Sequence, residues 1–239
     1  MGQIYLVRHG QASFGATDYD RLSELGVEQG RMLGHWFADC GLRFTAAMSG
    51  GLLRHRQTAE ACLAAMPETL KPLSPVLVDR GFDEYDHREV LLKHRPEFAT
   101  EQGSLKVVQE SARPGDTPRR AFQRVFMEAM GRWVSGRYDH EYSETWGTFR
   151  QRCNEALTAR IEKAGSSQSI VIFTSGGTIS VICQSLMGIS DRETALLNSA
   201  MVNSAVTKLL YQPGRISINY LNAHPHLERS GSADNITYR

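Results

Sequence analysis

The chain begins with an uninterrupted apolar run, Ile4 to Val7, that ends in Arg8-His9-Gly10. Such a run, stopped at once by polar groups, predicts a buried strand that delivers those groups at its carboxyl end. After a loop, Leu22, Leu25, Gln29, Met32, Leu33, Trp36 and Phe37 recur at helical spacing, and Gly41 is a natural stop. Phe44 to Met48 predicts a second strand, with Gly50-Gly51 loosening the turn after it. Leu52 to Met66 predicts a helix ended by Pro67, and Pro75 to Asp79 a third strand with charge just beyond it.

The pattern changes between Asp86 and about Ser143. Charge is dense there, and helical stripes are separated by Pro96, Gly103 and Pro114-Gly115. Asp116 reads as an N-cap with Pro118 in the first turn, followed by the apolar stripe Phe122, Val125, Phe126, Met130 and Trp133. No linker separates this stretch, so it is expected to be a helical insertion in one domain spanning residues 1 to 239. Trp146 to Ala164 predicts another amphipathic helix. Ile170 to Phe173 is the clearest buried strand, followed by Thr174-Ser175-Gly176-Gly177 and a helix to Met187. Ala205 to Tyr211 and Ile216 to Leu221 predict an antiparallel pair turned at Pro213-Gly214, and the polar tail after His224 is expected to be mobile.

Strands alternating with helices predict an α/β three-layer sandwich: an open, mostly parallel sheet covered by helices, plus the helical insertion. Ligands of such sheets bind outside the carboxyl ends of the strands. Arg8-His9, Gly50-Gly51, Asp79 onward and Thr174-Ser175 all fall at those ends, which points to one shared site.

Composition narrows the chemistry. A formal net charge of +1 over 239 residues leaves no global field for nucleic acid or an acidic membrane, so an anion has to be held by locally placed Arg and Lys. Four dispersed cysteines form no CxxC pair, and no His/Cys cluster has metal-ligand spacing, so neither a disulfide framework nor a metal site is expected. The most apolar window, Ser169 to Met187, is broken by Ser, Thr, Gln and a Gly pair and is no membrane span. No basic and apolar leader precedes the first strand, so a cytoplasmic location is expected. Nothing in the pattern sets an oligomeric state.

Arg8-His9-Gly10 joins a guanidinium fork, an imidazole and a glycine that lets backbone approach a ligand. A neutral imidazole nitrogen can attack phosphorus while arginines neutralise the phosphoryl oxygens. IYLVRHGQ and RLSELGVEQGRMLGHWF resemble the opening of the histidine phosphatase (phosphoglycerate mutase-like) superfamily, and LLRHRQTAE resembles its second block, Leu-x-Arg-x-x-Gln-Thr-Ala. The resemblance implies His9 as the residue that takes the phosphoryl group, with Arg8 and Arg54 clamping it. Gly10, Gln11 and Ser13, in the loop after His9, are candidates for binding substrate oxygens or for a plain loop role.

A phosphohistidine route also needs a proton donor for the leaving oxygen. The family supplies a Glu after the third strand. Aligning Phe82 puts Asp79 in that place, with Glu84 close enough to compete. The last block departs most: the family reads Ser-His-Gly-Gly where this chain reads Thr174-Ser175-Gly176-Gly177, so Ser175 and Gly176 stand as neutral phosphate contacts or as a packing turn. His87, His94 and His140 are the histidines considered for the missing ring. The expected activity is a metal-independent phosphomonoester hydrolase without cofactor, acting on a small phosphorylated substrate. A binding module that has lost turnover and a phosphoglycerate-type mutase are the alternatives.

Overall fold

The structure is a computed structural model that describes residues 1–13, 20–165 and 167–238. It divides into two compact units, one made of Met1–Glu84 with Arg152–Arg239, the other of Tyr85–Gln151.

The first unit is built on a six-stranded sheet. β1 is Gly2–Arg8, β2 Ala46–Ser49, β3 Leu77–Val78, β4 Ser169–Thr174, β5 Val206–Gln212 and β6 Arg215–Ala223. Their order is β3-β2-β4-β1-β5-β6, with β1, β2, β3 and β4 parallel and β5 antiparallel to β1 and β6. The sheet is open and mostly parallel, as expected. Its third strand is shorter than the Pro75 to Asp79 run, with Leu77 and Val78 exposed at the sheet edge.

β1 and β4 lie side by side in register, from Gln3 opposite Ser169 to Arg8 opposite Thr174. The chain leaves β1 toward β2 and leaves β4 toward β5, in opposite directions across the sheet. Connections that diverge in this way open a crevice at the carboxyl ends of the two strands. His9 and Ser175 are the first residues beyond those ends.

Helix α1 (Glu24–Asp39) and helix α2 (Leu53–Ala64) cover one face. Tyr5, Val7, Val171, Phe173 and Val206 pack there against Leu33, Phe37, Ala59, Cys62 and Met66. Tyr5 meets Phe37 and Phe44 edge-on at ring distances of 6.1 and 5.3 Å, so truncating Phe37 here costs about 3–5 kcal/mol. α1 and α2 lie so close that a Cβ on Gly34 would sit 2.1 Å from the Cys62 carbonyl oxygen. The alternate residues Ile4, Leu6, Ile170 and Ile172 are fully buried on the other face.

In the second unit, α3 (His87–His94), α4 (Glu101–Ser111) and α5 (Pro118–Val134) precede α6 (Trp146–Lys163), which begins there and continues into the first unit. Its centre is Trp133, fully buried against Tyr85, Trp146 and Phe149, with its indole N–H donated to the Glu144 carbonyl at 2.8 Å. The cap of α5 is Thr117, not Asp116: Pro118 takes the first helical position, so its predecessor caps. Asp116 instead pairs with Arg124 at 2.6 Å.

Back in the first unit, α7 (Gly176–Met187) follows β4 and is buried along most of its length. α8 (Asp191–Ala200), absent from the sequence reading, opens on a Ser190/Glu193 capping box, a signal the Ser-x-x-Glu spacing carries. The tail is not loose as expected. It forms α9 (Pro225–Glu228), buries His226 and Leu227, and Gln29 Nε2 donates to the Asn235 carbonyl and Thr237 Oγ1 at 2.8 and 2.9 Å. Among the described residues no helix is long and apolar enough to cross a membrane.

Candidate active site

β1 and β4 bring Arg8, His9 and Ser175 to one end of the sheet, and the first turn of α2 brings Arg54 to the same place. Arg8, His9 and Arg54 are 8%, 8% and 6% exposed, far below what solvated Arg and His side chains show. The His9 N–H donates to the Thr174 carbonyl at 2.8 Å, while Ser204 N–H and Asn203 Nδ2 donate to the His9 carbonyl, each at 3.2 Å. The backbone of the nucleophile candidate is therefore tied to β4 on one side and to the segment before β5 on the other.

The imidazole is equally constrained. Nδ1 lies 2.7 Å from the Gly10 carbonyl and Nε2 lies 3.3 Å from Arg54 Nε. A carbonyl only accepts, so Nδ1 carries the hydrogen and Nε2 presents its lone pair. Burial first, then the charges of Arg54, Arg8 and His55, hold the His9 pKa well below its ordinary 6.5, against a smaller upward pull from the Gly10 bond. A ring so placed is neutral and nucleophilic at neutral pH.

The motif residues around His9 have packing reasons. A Cβ on Gly10 would lie 2.2 Å from the Gly26 carbonyl oxygen, and one on Gly26 would lie 2.1 Å from the Gln11 carbonyl oxygen. The two glycines let the loop after β1 lie directly on the first turn of α1. Gly10 N–H donates to Thr58 Oγ1 at 3.0 Å, and Thr58 Oγ1 donates to the Arg54 carbonyl at 2.7 Å, so α2 grips the same loop. Gln11 N–H donates to Gln29 Oε1, and Gln11 Oε1 accepts from Ser23 Oγ. Gln11 thus ties the loop to the N-cap of α1, and the Ser13 N–H donates to the Arg21 carbonyl, two residues before that cap, at 2.8 Å.

Arg54 divides its guanidinium between His9 and Asp20, whose Oδ1 is 2.7 Å from Nη1. Asp20 Oδ2 also accepts from Leu53 N–H at 2.8 Å, fixing the start of α2. Arg8 donates to the Met201 carbonyl. Its chain also runs past Gly176, where a Cβ would lie 3.4 Å from Arg8 Nε and 2.6 Å from Asn198 Oδ1.

The two acid candidates part company. Asp79 Oδ1 accepts from Gly81 N–H at 2.8 Å and caps the short turn after β3. Glu84 Oε2 accepts from Gly177 N–H at 3.1 Å, at the N-terminus of α7 beside Ser175 and Gly176. Between them Asp83, unremarked in the sequence, accepts from Gly51 N–H, and burial raises its pKa despite that bond.

The residue that sequence reasoning missed is His55. It is fully buried, its Nε2 lies 2.6 Å from Ser175 Oγ, and its ring centre is 5.8 Å from that of His9. The available signal was its position directly after Arg54, in the best-matched helix. The three histidines considered instead all lie in the second unit, where His94 pairs with Glu128 at 3.6 Å and His140 is exposed.

Comparison with known families matches residues 4–125 and 115–224 to the histidine phosphatase superfamily (branch 1). The chain belongs to that superfamily. A curated relative is the mitochondrial serine/threonine-protein phosphatase Pgam5 of Caenorhabditis briggsae, 30% identical over 105 residues, which are 43% of this chain and only 37% of the relative. Among solved structures, phosphoglycerate mutase from Bacillus anthracis is 18% identical with a TM-score of 0.62, covering 96% of both chains. Phosphoserine phosphatase from Entamoeba histolytica, in complex with 3-phosphoglyceric acid, is 15% identical with a TM-score of 0.60. That match covers 95% of this chain and all of the other. At these identities the two structures speak for the fold, which is the expected phosphoglycerate mutase-like α/β fold.

Proposed function

We propose that this superfamily member is a metal-independent phosphomonoester hydrolase working through a phosphohistidine on His9. One observation carries the reading: a buried, neutral imidazole whose Nδ1–H is locked to Gly10 and whose Nε2 lies 3.3 Å from a guanidinium. His9 Nε2 attacks phosphorus as the ester P–O bond breaks. Arg54 and Arg8 take up the charge on the phosphoryl oxygens, the role a metal ion fills in other enzymes.

Glu84 in its acid form protonates the leaving oxygen. Its carboxylate then takes a proton from the water that cleaves the P–N bond and releases phosphate. Its bond to Gly177, next to Ser175, favours it over Asp79, whose carboxylate is spent on a local cap. The substrate class is a small phosphomonoester, and location in the cytoplasm fits the reduced thiols the sequence implies.

The test is turnover of a radiolabelled phosphomonoester in EDTA, quenched in acid or in base. The expected protein label survives base and is lost in acid, and is absent from His9→Ala. An acid-stable label, activity in His9→Ala, or activity that needs an added divalent ion overturns the proposal.

A further inference from the structure

Ser175 occupies the N-cap position of α7 yet makes no cap bond. A serine there ordinarily accepts from a backbone N–H of the first turn. Here Gly177 N–H is taken by Glu84, and Ser175 Oγ is engaged instead by His55 Nε2 at 2.6 Å. Both side chains are fully buried, and His55 Nδ1 has no hydrogen-bond partner among the described residues.

That orphan nitrogen decides the direction of the bond. If Nδ1 carried the hydrogen, an N–H would be buried without an acceptor, the less tolerated of the two defects. The hydrogen therefore sits on Nε2 and is donated to Ser175 Oγ. With its oxygen so occupied, the Ser175 hydroxyl is left to donate its own hydrogen. Around it stand Arg8, alongside Gly176, and His9, whose ring is 5.8 Å from that of His55.

We infer that His55 is a positioning residue of the phosphate site, donating to Ser175 Oγ so that the Ser175 hydroxyl points its hydrogen at the bound phosphoryl group. The imidazole absent from position 175 is thus supplied from position 55, and two neutral side chains do what one ring does elsewhere in the superfamily. Gly50 completes the arrangement: a Cβ there would lie 2.3 Å from His55 Nδ1 and 2.9 Å from Cε1, so only glycine leaves room for the ring. Gly50 is itself held by its N–H bond to the Phe173 carbonyl at 3.0 Å. Burial and the Arg54 charge keep His55 neutral, so the pair offers a hydrogen bond and no cation. This assignment rests on the phosphohistidine reading of His9.

The experiment compares para-nitrophenyl phosphate hydrolysis and calorimetric binding of inorganic phosphate across variants matched for thermal stability. His55→Ala and Ser175→Ala should each lower kcat/KM about tenfold, and the double variant by about the same factor, because the two act as one unit. Ser175→His alone should not gain activity, since the His55 ring fills the space. In the His55→Ala background, Ser175→His should restore most of it. Losses that multiply to about a hundredfold in the double variant, or a His55→Ala enzyme equal to wild type while His9→Ala is inactive, overturn the inference and leave the His9 reading intact. If wild type itself hydrolyses nothing, the His9 reading fails, and the phosphate titration still decides: about tenfold weaker binding for His55→Ala supports the pair, unchanged binding refutes it. Long-range proton–nitrogen NMR of wild type needs no variant. It should show His55 protonated on Nε2, and an Nδ1-protonated ring overturns the assignment.

Discussion

Gly10→Ala is a small change in a place where little can move. The added Cβ would meet the Gly26 carbonyl oxygen at 2.2 Å, its carbon at 2.8 Å and the Gly26 Cα at 3.0 Å, all backbone atoms of the first turn of α1. Carbon and oxygen in ordinary contact are about 3.2 Å or more apart, so roughly 1 Å of displacement is required, and no flexible side chain can absorb it. Overpacking of this kind costs about 1–3 kcal/mol. In a chain of this size that lowers the thermal midpoint by about 2–12 °C.

The functional loss should exceed what stability predicts. Gly10 also holds His9 Nδ1 through its carbonyl and Thr58 through its N–H. Moving the loop by about 1 Å misdirects Nε2, and errors of that size cost on the order of a hundredfold in rate. The assay is para-nitrophenyl phosphate hydrolysis well below the measured midpoint, with Gly41→Ala as control. Gly41 has φ +64° and no atom within 4 Å of its Cβ position, so that variant pays only backbone strain of about 1 kcal/mol and keeps full activity. A Gly10→Ala enzyme with wild-type kcat/KM would show that the Gly10–Gly26 contact does not set the nucleophile, and the packing account of the motif would fail.

Two further outcomes follow from the geometry. Glu84→Gln should slow alkyl phosphates far more than nitrophenyl phosphate, whose leaving group needs no proton, while Asp79→Ala should mainly lower stability by about 0.5–2 kcal/mol through its lost cap; the reverse pattern assigns the proton donor to Asp79. With falling pH, His9 and His55, held well below 6.5, and His226, pushed down to about 3, stay neutral in the fold but take up protons when unfolded. Their stabilisation is complete above pH 6.5 and is lost as the pH falls below it, by up to about 1.4 kcal/mol per pH unit for each group. Thermal midpoints should therefore drop from about pH 6.5 downward while kcat/KM of the folded enzyme for nitrophenyl phosphate, whose leaving group needs no proton, shows no fall at about pH 6.5. Activity that falls with an ordinary histidine pKa near 6.5 refutes the neutral-nucleophile account.

The linear pattern of the chain was enough to establish the strands that carry His9 and Ser175, the helices that cover them and the family to which they belong. It does so because burial on one or both faces of an element leaves a local trace: a continuous apolar run for β1 and β4, a helical stripe for α1 and α5. Arg8-His9-Gly10 was legible for the same reason, being contiguous and placed at the end of such a run. At the start of α5 the miss was a single residue, Pro118 moving the cap from Asp116 to Thr117.

What the tertiary structure alone decided depends on strand order, which no local pattern encodes. β4 inserts beside β1, and that choice brings Ser175 against His55 across 120 residues. It also separates Glu84, carried to the first turn of α7, from Asp79, left capping its own turn five residues earlier in the same block. Gly10 and Gly26 are distant letters in the sequence until the loop after β1 folds back onto α1. The tail looked loose because its polar composition gives no periodic signal, yet Asn235 and Thr237 find their partner in Gln29, a buried amide on α1 whose Nε2 donates to the far end of the chain.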